Sequence, residues 1–158
     1  MAVIADIVQS WRSPRLVIAR HLQRHPTEGF AFAVLVAFLI LAFVSQWPAM
    51  SRAAYLHPEA GLTQRMVAAG LALLASIPLW YGLAGLSHLA AQRLGGKGGY
   101  LGARLALFWA LLSVAPLMLL QGILTGFAGP GAMATGAGIV ILGGFSYLWL
   151  NMLIAAES

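Results

Sequence analysis

The side chains able to do acid–base or nucleophilic chemistry are few, and their spacing does not suit it. The chain has four His and four Asp or Glu, and it has no cysteine. Thiolate nucleophiles, Cys-ligated metals and disulfides are therefore ruled out. Ser87 and His88 are adjacent, so on a helix they point about 100° apart. No second carboxylate completes a triad with them, and the H-E-x-x-H motif is absent. His88, Asn151 and Glu157 fall toward the same ends of their apolar segments, but one His and one carboxylate are too few to hold a metal. His88 reads as a hydrogen-bonding group at headgroup level, and Asn151 as an interhelical hydrogen bond. No enzymatic activity, cofactor or metal is expected.

The run Leu94-Gly95-Gly96-Lys97-Gly98-Gly99-Tyr100 resembles a phosphate loop only in outline. A Walker motif needs Ser or Thr after the Lys and a Gly six residues before it. Here Gly98 follows Lys97, and Ala91 stands upstream. Backbone amides exposed beside a cation suit a lipid phosphate. The same glycines equally suit a plain turn between antiparallel helices.

The elements that position these groups follow from composition. Of the 158 residues, 61% are hydrophobic and 8% charged. A soluble domain carries roughly a quarter charged residues, so this surface is built for lipid. Four segments are long and apolar enough to span: 29–47, 66–89, 104–124 and 132–156. A helical span needs about 20 residues, and inside hydrocarbon each must be helical to satisfy its backbone. The expected fold is all-α, a polytopic bundle of four transmembrane helices with an interfacial N-terminal arm over residues 1–28.

Charge orients the bundle. Arg12, Arg15, Arg20 and Arg24 precede the first span, and Arg93, Lys97 and Arg104 flank the second loop. Only Arg52 and Arg65 flank the first loop. The positive-inside rule places both termini and the second loop in the cytoplasm. In the arm, Val3, Ile4, Ile7, Val8 and Trp11 form an apolar stripe. Ser13-Pro14 restarts a helix, whose Leu16, Val17, Ile18 and Leu22 are expected at the acyl boundary. Trp11, Arg12, Arg15, Arg20, Arg24 and Lys97 are the candidate headgroup contacts. Trp47-Pro48 is expected to end the first span at the far interface.

Pro78 and Pro116 sit near mid-span and predict kinks. Ser76 and Ser113 stand close enough to re-satisfy freed carbonyls. Kinks serve bundle packing, or they open a cavity between spans two and three, as in a small transporter or channel. Against transport, no ionisable residue lies at mid-depth. Gly122, Gly126, Gly136, Gly138, Gly143 and Gly144 are the candidate helix-packing residues. The first span reads as a plain lipid-facing anchor, and the fourth as built for close contact.

Several short motifs resemble bacterial members of the Yip-domain family, named for interaction with Ypt/Rab GTPases. They are Trp11-Arg12-Ser13-Pro14-Arg15, the span carrying Pro78, the Gly95–Tyr100 loop, Ala115-Pro116-Leu117, and the final Tyr147-Leu148-Trp149-Leu150. Members commonly have five spans, against the four expected in this sequence. The resemblance implies a helical membrane protein of trafficking or membrane organisation and no defined reaction. The expected protein sits in the inner (plasma) membrane. It binds lipids, including anionic headgroups, and another membrane protein or itself, as an accessory subunit of a larger complex. No nucleic acid partner is expected.

Overall fold

The computed structural model describes residues 2–158, which form seven helices joined by short turns. Two short helices come first, α1 (Ala2–Arg12) and α2 (Pro14–Gln23). The long ones are α3 (Glu28–Leu56), α4 and α5 (Leu62–Ala75, Ile77–Arg93), α6 (Tyr100–Ala128) and α7 (Ala132–Glu157). Counting α4 and α5 as one broken rod, four helices are long and apolar enough to cross a membrane.

Local chemistry sets their boundaries. The Thr27 hydroxyl accepts the Phe30 amide at 3.3 Å and caps α3, with Glu28 in the first turn. That places a carboxylate at the positive end of the helix dipole. The α3 helix does not stop at Trp47-Pro48 but runs on to Leu56. The proline costs one backbone hydrogen bond, and its ring packs opposite Gly126 of α6. Pro78 does break its rod. Ser76 closes α4, its hydroxyl donates to the Leu73 carbonyl at 2.6 Å, and Trp80 Nε1 donates back to Ser76 Oγ at 3.0 Å. Pro116 leaves α6 continuous.

The α6 helix is the centre. From Gly102 to Ala115 every residue except Arg104 is buried. A helix apolar all round belongs inside other helices, and α6 lies between α3 and α7 with α1 and α2 packed along its first half. Its broadest seam is with α3, where Val34, Leu35, Phe38, Leu39 and Ala42 are buried. The first long helix is therefore a core element rather than a plain anchor, because the glycines of α6 admit it closely. The broken rod is the peripheral one: no residue of its most apolar stretch is buried. Both prolines expected to bound a cavity, Pro78 and Pro116, are exposed.

Candidate functional site

Charged and aromatic groups concentrate at the end of the bundle that carries both termini. The α1–α2 arm is docked there by buried polar contacts. Asp6 is buried and accepts from Arg20 at 3.1 Å, and Arg20 also donates to Gln9 at 2.7 Å. Ser10 is fully buried, donates to the Asp6 carbonyl at 2.7 Å and accepts from Trp109 Nε1 at 3.1 Å. The His21 ring packs on Trp109, with centroids 4.1 Å apart. Val17 and Ile18, expected at the acyl boundary, are completely buried in the protein core. The arm's exposed apolar surface is Val3, Ile4 and Val8 of α1 together with Leu16 of α2, which does face outward as expected.

Trp11 has a role that its sequence position does not disclose. Its indole lies against Gly144 of α7, where an added methyl would come within 2.6 Å of the ring. Its Nε1 donates to the Ser113 carbonyl at 3.2 Å, in the α6 turn that Pro116 perturbs. Ser113 therefore contributes its backbone there, while its own hydroxyl is buried without a partner.

The remaining candidate contacts divide. Arg15 donates to Asn151 Oδ1 at 3.0 Å, and Arg12, Arg24 and Lys97 are exposed. Asn151 thus receives the arm and bonds back to the Tyr147 carbonyl of its own helix. Of the glycines, Gly122 and Gly126 meet α3, at Ser45 and Pro48. Gly138 faces Gln121, and Gly144 faces Trp11. Gly136 and Gly143 have nothing within 4 Å. The close-contact face is thus on α6, and much of the α7 glycine ridge looks outward.

His88 and Glu157 form a buried pair. His88 is 1% exposed, Glu157 is 5% exposed, and Nδ1 lies 2.6 Å from Oε1. A carboxylate only accepts, so Nδ1 carries the proton in that state. The Tyr100 ring packs against the imidazole at a tilt of 57°, with centroids 4.3 Å apart. The glycine loop closes over the pair: the Lys97 amide donates to the Glu157 carbonyl at 2.7 Å. A methyl on Gly98 would overlap the Ala156 carbonyl oxygen and come within 2.9 Å of Glu157 Cα. The loop is thus a clasp on the end of α7, which residues 69 positions apart could not announce in sequence. Ser87 Oγ is taken by the Ala84 carbonyl at 2.8 Å, so it is not aligned on His88. Among the described residues no three His, Cys, Asp or Glu side chains converge as metal ligands.

A cavity of about 560 Å³ opens beside the arm. Asp6, His21, Arg24, His25 and Thr27 line it together with Phe30, Ala33, Val34, Ala37, Trp109 and others. His21 Nε2 is buried without a hydrogen bond and stands 3.6 Å from Asp6 Oδ2. Burial pushes the His21 pKa below its ordinary 6.5; Asp6 opposes that, and Arg24 and Arg20 add to it. The folded state therefore binds this proton less readily than the unfolded arm does. Stability is lost as pH falls below about 6.5. Protection of the α2 amides, taken relative to the intrinsic exchange rate at each pH, should fall from pH 7 to pH 5.5 in wild type, and His21→Gln should flatten that dependence. An equal fall in protection in both would refute it.

No family model, curated protein or solved structure matches the chain.

Proposed function

We propose that the chain is a non-enzymatic, polytopic inner-membrane protein of Yip-like type that binds lipids and other membrane proteins as an accessory subunit. The observation that carries this reading is the outward apolar surface. The rod of α4 and α5 buries none of its most apolar stretch, and only 17% of the corresponding stretch of α7 is buried. Gly136 and Gly143 add a ridge without neighbours. Small residues of this kind let another helix approach closely in lipid. The polar groups fit the same reading: His88–Glu157, Asp6–Arg20 and Ser10–Trp109 fasten helices together.

Orientation rests on the basic residues at the end carrying both termini. The chain has no native cysteine, so single cysteines report cleanly. Cysteine at Glu59 should react with an impermeant maleimide added to intact cells. Cysteine at Lys97 should react only after lysis, and the reverse pattern would refute the orientation. For the lateral partner, a photo-crosslinker at Ile139, which is 66% exposed, should capture a discrete membrane protein. The same probe at buried Leu35 should not. Recovery of an uncrosslinked monomer from native membranes would count against the accessory role.

A further inference from the structure

The cavity beside the arm has the shape of a lipid site. Phe30, Ala33, Val34 and Ala37 of α3 line it, a spacing that forms one helix face. From Thr27 at the mouth to Ala37 is about 15 Å of helix, half the roughly 30 Å hydrocarbon core and so the depth of one leaflet. Trp109 and Leu112 of α6 form the opposite wall. The alanines leave width where larger side chains would close the shaft. The mouth is polar and mostly positive. Arg24 and His25 are exposed there, at the start of the 29-residue helix α3, whose positive end favours an anion beside the Phe30 amide that Thr27 already caps. Arg24 makes no ion pair among the described residues. His21, 7% exposed, lines the same cavity, and its Nε2 makes no hydrogen bond and lies 3.6 Å from Asp6 Oδ2. Two carboxylates lie nearby: Asp6, in the lining, is bonded to Arg20 and faces His21, and Glu28, in the first turn of α3, is paired with Arg104.

We infer that this cavity binds one anionic phospholipid of the inner leaflet, its phosphate at Arg24, His21 and the start of α3, and one acyl chain in the shaft between α3 and α6. The inference rests on the membrane-protein reading above and names the lipid and its place. The phosphate chemistry could also come from a soluble phosphate, but an apolar shaft one leaflet deep favours the lipid.

Native mass spectrometry of the full chain in detergent tests this, using phosphatidylglycerol and phosphatidylcholine of identical acyl chains, with inorganic phosphate as competitor. Phosphatidylglycerol should be retained roughly five- to tenfold over phosphatidylcholine, as one charge-assisted contact allows. Arg24→Gln should remove most of that preference. Ala37→Phe should reduce retention of both lipids with unchanged helicity, and the exposed Ala33→Phe serves the same purpose if Ala37→Phe does not fold. Equal retention of both lipids, or undiminished retention in the filled-shaft variant, overturns the lipid site. Displacement of phosphatidylglycerol by inorganic phosphate overturns the lipid as ligand. A chain that partitions into membranes yet shows no preference loses this inference alone. A chain recovered in the soluble fraction loses the wider reading as well.

Discussion

Gly122→Val is expected to destabilise the protein more than any other single glycine substitution, by about 3 kcal/mol or more. The seam between α3 and α6 is the broadest in the bundle. A methyl on Gly122 would overlap the Ser45 carbonyl oxygen and lie 2.8 Å from its carbon. That neighbour is backbone in the middle of a helix, so it cannot rotate away. Relief requires α3 to move off α6, which also strips contacts from Phe38, Leu39 and Ala42. Helix propensity alone would slightly favour valine over glycine, so the sign of the effect reports packing. Gly136→Val is the matched control. Nothing lies within 4 Å of it, and the expected change is within about 0.5 kcal/mol. Thermal unfolding in detergent micelles compares the two, and equal midpoints would refute the seam.

The second large effect is expected at His88–Glu157. His88→Leu leaves Glu157 buried without its partner, an arrangement that typically costs about 3–5 kcal/mol when the pair is charged. Glu157 also closes α7, where the helix carbonyls already disfavour a carboxylate. The double variant His88→Leu/Glu157→Leu should recover much of that loss, because apolar replacements of both partners remove the stranded group. The loop should respond with the pair. Exchange protection of the Lys97 amide, bonded to the Glu157 carbonyl, should fall in His88→Leu and rise again in the double variant. Additive losses would show that the two side chains act independently.

These two sites mark where sequence reading runs out. Gly122 and Gly126 announce a close approach by type and spacing, and they do meet another helix. Gly136 and Gly143 announce the same thing and meet nothing in this chain. The difference lies in the partner helix, which periodicity within one helix cannot name. Trp11 is a similar case. An aromatic residue beside arginines reads as a headgroup anchor, yet its indole packs between α6 and α7 and bonds a backbone carbonyl near Pro116. Likewise Val17 and Ile18 face protein rather than an acyl boundary, since an apolar stripe does not say which apolar phase receives it.

The sequence by itself determined that the protein is helical, with four helices long and apolar enough to cross a membrane. Length, hydropathy and backbone hydrogen bonding are properties of each segment alone. Only the tertiary structure decided that α6 is the buried centre and the α4–α5 rod the periphery. Only it joined His88 to Glu157 and opened a cavity between α3, α6 and the arm. Those outcomes depend on which helix lies beside which. In a chain this uniformly apolar, that choice is made by the fit of a few glycines, a few rings and a few buried polar pairs.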